Sequence, residues 1–105
     1  MAVAFRIVFG TSRTAPPETN EDELAASIRE QVPGGTDEGY RNAAVRIQKL
    51  SSDTLRICDA FRDGKYGTGS AAQDAAVKEL KMQNPHFSDA EYRQAFAAGM
   101  MWTAF

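Results

Sequence analysis

The chain has 105 residues, 12 of them Lys or Arg and 14 Asp or Glu, giving a net charge of −2 with 43% hydrophobic and 25% charged residues. That length reads as one domain over 1–105, able to bury roughly 65% of its unfolded surface in a single core. The near-neutral balance argues against bulk attraction to nucleic acid, and a single cysteine, Cys58, excludes an internal disulfide and a Cys-rich zinc site; a reducing cytoplasm is the simplest setting.

Taken in chain order, residues 3–9, "VAFRIVF", alternate Phe5, Ile7 and Phe9 against Ala4, Arg6 and Val8. That period of two predicts a short extended or β segment, although no second segment offers itself as a partner strand. The start lacks a basic n-region and carries Arg6 in its apolar run, which argues against a secretory signal. Residues 10–20, "GTSRTAPPETN", read as a polar loop. The region 1–20 is thus expected to be extended segment and loop, and 21–105 to be helical.

Four helices are expected. The first covers Glu21 to Val32, capped by Asn20, with Glu21, Asp22 and Glu23 in its first turn and "PGG" stopping it. The second is long, Asp37 to Asp63, with Tyr40, Ala44, Ile47, Leu50, Thr54, Cys58 and Phe61 on one face at spacings of three and four. In the third, "GSAAQ" puts Ser70 and Gln73 in capping-box spacing, and "NP" at 84–85 ends the helix. The fourth opens on "FSDAEY", where Ser88 caps, Glu91 reaches back and Phe87 staples onto Tyr92. The chain shows no obvious internal repeat. The expected fold is mainly α: a small four-helix domain with a short extended N-terminal segment.

Little in the chain assembles chemistry. His86 is the only histidine, sits in an inter-helix turn and lacks the companions a zinc site needs. Cys58 lies on the apolar stripe, without the base and electropositive setting of a nucleophile. "GKYGTGS" at 64–70 joins three glycines and Lys65 to a helix start, a combination that can hold an anion. Its order is not that of a P-loop and no strand precedes it, so a helix cap at Gly64 followed by a connector is the plainer reading. Arg41, Lys49 and Arg56 form a basic ridge on the second helix, but Asp53, Asp59 and Asp63 share its side at ion-pairing distances along the helix. No cofactor and no metal is implied, and no catalytic set is visible.

The ending, Ala95 to Phe105, has Thr103 as its one polar side chain. As a helix it is too short to cross a bilayer: ~17 Å of rise against about 30 Å of hydrocarbon. Tyr92, Ala95, Phe96, Gly99, Trp102 and Thr103 share a face suited to packing on the long helix. Ala97, Ala98, Met101 and Phe105 fall on the other side, to be covered either by the N-terminal segment or by another chain; Ala98, Met101 and Phe105 are the contacts expected there. These three residues, with Lys65 and Tyr66 of the glycine loop, are the expected partner-binding residues. The expected function is a non-enzymatic binding module, a small bacterial or phage inhibitor or immunity-type protein that occludes a protein partner. A homodimer is the second option for the same face. The alternative, from another class, is a nucleic-acid-associated regulator using the basic ridge.

Overall fold

The computed structural model describes residues 2–10 and 20–104. They form α1 (Ala2–Phe9), α2 (Glu21–Gln31), α3 (Asp37–Arg62), α4 (Gly69–Gln83) and α5 (Asp89–Trp102), and no strand forms among the described residues. Helix α3 is in contact with all four others. Its 26 residues rise ~39 Å, which sets the long axis of a particle measuring 45 × 26 × 17 Å.

The stripe expected on α3 is the floor of the core. Tyr40, Ala44, Ile47, Leu50, Thr54, Ile57 and Cys58 are buried, and Phe61 is partly so. On α5 the buried residues are Tyr92, Ala95, Phe96, Gly99 and Trp102, the face expected from 100° steps. The two stripes meet at a glycine: an ideal Cβ on Gly99 would lie 2.5 Å from Thr54 Cγ2 and 2.6 Å from Cys58 Sγ. Thr54 turns its hydroxyl away from this contact, donating to the Leu50 carbonyl at 2.6 Å, and offers only its methyl.

The N-terminal segment departs from expectation: it is a helix. In so short an apolar run, periods of two and of three to four coexist, and the packing decides between them. Ala4, Phe5, Val8 and Phe9 are buried, the spacing of one helical face. The rings of Phe5 and Phe9 stack at 4.7 Å, as residues four apart do on a helix. A strand would have had no partner for its N–H and C=O groups, whereas a helix satisfies them internally. Helix α1 lies on α2, α3 and α5, with Phe9 stacked on Trp102 at 5.2 Å. The described residues therefore form five helices.

The caps follow the sequence with one exception. Asn20 accepts from the Glu23 N–H at 2.8 Å, and Ser88 and Glu91 close a full capping box. Helix α4, however, starts at Gly69, so Ser70 lies within its first turn; the cap position falls to Thr68, whose side chain makes no capping bond.

The two short inter-helix turns are built alike, and here the chain does repeat. "VPGGTDEGYRNA" (32–43) and "NPHFSDAEYRQA" (84–95) align at a shift of 52 residues. The C-cap residues Val32 and Asn84 share a backbone conformation, φ −132°, ψ 74° and φ −134°, ψ 71°. Gly34 and His86, two residues on, both have positive φ, 94° and 88°. Thr36 and Ser88 cap the next helix. Four residues beyond each cap a tyrosine reaches back across the turn. Tyr40 donates to the Val32 carbonyl at 2.6 Å and accepts from the Gly35 N–H at 2.8 Å. Tyr92 donates to the Asn84 carbonyl and accepts from the Phe87 N–H at 3.2 Å. The flanking ion pairs correspond too: Arg29–Asp37 at 3.8 Å and Lys81–Asp89 at 2.8 Å. Helices α2–α3 and α4–α5 are thus two versions of one hairpin.

Two stability changes are expected. Gly99→Ala gains about 1 kcal/mol of helix propensity but must force α3 and α5 apart. Overpacking costs about 1–3 kcal/mol, and with both neighbours under 3 Å the upper end applies, so a net loss is expected in urea unfolding. A variant as stable as wild type would mean the two helices do not meet there. Tyr40→Phe and Tyr92→Phe each strand a backbone donor and acceptor, at about 1–3 kcal/mol. The Tyr92 change should cost more, because that side chain is the more deeply buried; the reverse order would refute the equivalence of the two bridges.

Candidate functional site

The glycine loop is a helix stop. Gly64, at φ 80°, gives its N–H to Phe61 and Lys65 gives its own to Ala60, both at 3.0 Å, a Schellman closure of α3. The Gly67 N–H is bound to the Gly64 carbonyl at 3.1 Å. Three of the donors an anion would need are therefore already used. Tyr66 does not project: its ring packs against the core and its hydroxyl donates to Glu79. Lys65 is exposed.

The basic ridge is largely committed within the fold. Lys49 Nζ binds the Asp53 carboxylate at 2.7 Å and the Gln83 carbonyl at 2.8 Å, placing a cation on the last turn of α4, where the helix dipole favours one. Arg56 reaches Gln83 Oε1 at 2.7 Å and Asp53 at 3.4 Å. Asn84, buried, donates to Asp53 at 2.9 Å. Arg62 does the same service for α5, donating to the Met100 carbonyl and, at 2.9 Å, to Thr103 Oγ1. Arg41 stands apart from this network, in a shallow groove with Asp22, Ala25, Arg29, Asp37 and Tyr40.

Burial is the largest single influence on the Asp53 carboxyl and pushes its pKa up. It is outweighed by hydrogen bonds from Lys49 and Asn84, by the Lys49 charge and by Arg56, and the group sits below its ordinary 3.8. Burial pushes the Cys58 thiol up to about 12, against a smaller lowering by Arg62. Its Sγ faces the Phe96 carbonyl at 3.6 Å. Such a thiol is neutral near pH 7 and a poor nucleophile. Among the described residues no cluster of His, Cys, Asp and Glu could hold a metal ion, and no helix is long and apolar enough to cross a membrane.

The far side of α5 is covered in part. Ala98 is half-buried against the core, while Met101 is 51% exposed despite α1 lying alongside. Phe105 lies outside the described residues. The structure thus sets Ala98 and Met101 on one helix and Lys65 on the loop after α3, and does not add Tyr66 to an exposed patch. A second groove, which the sequence reading did not find, runs between α4 and α5; Asp74, Val77, Arg93, Phe96, Ala97 and Met100 line it. The signal for it was the repeat, which sets Asp74 and Arg93 at the positions of Asp22 and Arg41. No family model, no curated protein and no solved structure matches the chain.

The Asp53 network carries a pH prediction. A depressed folded pKa contributes stability that is present above the unfolded value and lost as pH falls through the folded one. Wild type should therefore lose stability below about pH 3.8 by more than Asp53→Asn does. At pH 7 the variant should be less stable by about 1–2 kcal/mol. Parallel acid-unfolding curves would show that Asp53 is not held.

Proposed function

We propose that the protein is a non-enzymatic protein-binding module that acts in the cytoplasm by occluding a protein partner, in the manner of small bacterial or phage inhibitors and immunity proteins. The observation that carries this reading is Met101, half-exposed on a helix whose core face, Tyr92, Ala95, Phe96, Gly99 and Trp102, is already buried. An unbranched, polarizable thioether adapts to a partner's contours, and methionine is enriched at protein interfaces. Ala98 beside it permits close approach, and Lys65, exposed on the loop after α3, is the charged residue included in the reading. Occlusion asks for shape and apolar contact alone, which is what this surface offers. The nucleic-acid alternative has less support, because Lys49 and Arg56 already bind Asp53 and the end of α4.

Met101→Lys is the test. At a half-exposed site it should leave the melting temperature near wild type, since surface changes cost within about 0.5 kcal/mol. Against a partner it places a charge in an apolar contact, costing about 1–3 kcal/mol or more. Tagged wild type and variant, compared in pull-downs from the source cells, should differ in the protein captured. Identical capture by the two, with an unchanged melting temperature, would refute this face as the binding surface. Affinity for DNA or RNA that appears at low salt and falls steeply as salt rises would favour the alternative.

A further inference from the structure

The two hairpins provide an internal control for what the fold itself requires. Each has an aspartate on its first helix and an arginine on its second, Asp22 with Arg41 and Asp74 with Arg93, lining the groove between them. Among the described residues none of the four makes a direct ion pair or a side-chain hydrogen bond, although, after the larger effect of Lys81, the Arg93 charge is near enough to Asp89 to help lower its pKa. The grooves differ in their apolar content. Where the α4–α5 groove has Val77, Phe96 and Met100, the α2–α3 hairpin has Ala25, Ala44 and Gln48. Phe96 serves the core, edge-on to Phe61 at 5.3 Å; Val77 and Met100 pack against the core yet keep part of their surface open, and Ala97 is exposed. The same hairpin folds without that apolar surface in its first version, so the surface in the second is not demanded by the hairpin.

From this we infer that the α4–α5 groove is a self-association surface, and that its occupant is the same groove of a second copy. The argument is charge complementarity. A two-fold interface sets each residue i against j and each j against i. A groove with apolar side chains and one exposed charge of each sign is complementary to itself under such an axis: Asp74 faces Arg93 of the second copy, twice, across Val77, Ala97 and Met100. The groove adjoins the Met101 face, since Ala97 lies one turn before Met101; the charge exchange at Asp74 and Arg93 is what tests this inference apart from the Met101 reading.

Charge exchange tests it without an unknown ligand. In sedimentation velocity from micromolar to near-millimolar protein, wild type should shift from monomer to dimer. Asp74→Arg alone sets four arginines at the interface and Arg93→Asp alone sets four aspartates. Like charges oppose docking, so each variant should raise the dimer dissociation constant by about tenfold or more. The double variant Asp74→Arg/Arg93→Asp should dimerise again. An equimolar mixture of the two single variants should form heterodimers, because every acid then meets a base; only a groove-to-groove contact of this kind predicts that rescue. Both positions are exposed, so circular dichroism should be unchanged. Should either charge variant unfold, Met100→Lys is the second probe and should also abolish dimerisation. A wild-type chain that stays monomeric, single variants that dimerise as wild type does, a mixture without heterodimers, or growth beyond the dimer would each overturn the inference. A monomer whose partner capture is lost on Met100→Lys would give the groove to a foreign protein instead.

Discussion

The close approach of α3 and α5 at Gly99 is the contact on which the rest of the arrangement depends. A helix pair this near needs a position without a side chain on one member and short side chains on the other. Gly99 meets Thr54 and Cys58, two of the smaller residues in the α3 stripe. Once α5 is seated so deeply, Phe96 reaches Phe61 and Trp102 is carried to where Phe9 of α1 can stack on it. The place of the N-terminal helix is a consequence of that seating. The buried thiol is a consequence too: Cys58 is there for its size, and the burial that raises its pKa removes its reactivity.

The second organising device is the tyrosine bridge. An X-Pro turn leaves the last carbonyls of one helix and the first N–H groups of the next without partners inside the helices. A hydroxyl four residues past the cap serves one of each, joining the C-cap carbonyl of the earlier helix to the N–H that precedes the later one. Because the bridge requires a particular turn path, it tolerates His86 in the left-handed region where the first hairpin uses Gly34, a conformation that costs a non-glycine residue roughly 1–2 kcal/mol. The bridges also explain why Tyr40 and Tyr92 are buried in spite of their polar tips: each hydroxyl gives its proton and accepts one hydrogen bond within the turn.

Much of this was legible in the sequence where a physical signal was local. The Asn20 and Ser88 caps, the Gly64 stop, the α3 stripe and the two-sided character of α5 all depend on spacings of three and four, or on single residues with strong backbone preferences. What escaped depends on partners distant in the chain. The run 3–9 carries both periods, and only the cleft left by α2, α3 and α5 selects the helix. Ser70 and Gln73 satisfy the capping spacing, but the helix begins at Gly69. The repeat is hard to see because it conserves a turn and a bridging hydroxyl while exchanging core residues, such as Ala44 for Phe96 and Ile47 for Gly99. Of the expected site residues, Ala98, Met101 and Lys65 keep some exposed surface; Tyr66 turns inward to Glu79, a bond across 13 positions that no local pattern announces.

Charge is distributed in a way that bears on function. The long helix carries half of the basic side chains beyond residue 20, and the fold uses three of them at helix ends: Lys49 closes α4, Arg62 closes α5, and Arg56 steadies the α4 end through Gln83 and Asp53. Cations fixed by helix carbonyls and by a neighbouring carboxylate have less to offer a phosphate than free ones, since the existing bonds must be broken before new ones form. The apolar surface that stays open is of a different kind: Met82 and Met101 are exposed, Val77 and Met100 are only partly covered, and each hairpin groove adds one acid and one arginine. Surfaces of that composition favour protein contact, where apolar area supplies the affinity and isolated charges set the register. On the proposed reading, the side of the molecule that faces outward from α5 offers a partner shape and apolar contact, while the basic helix behind it holds the domain together.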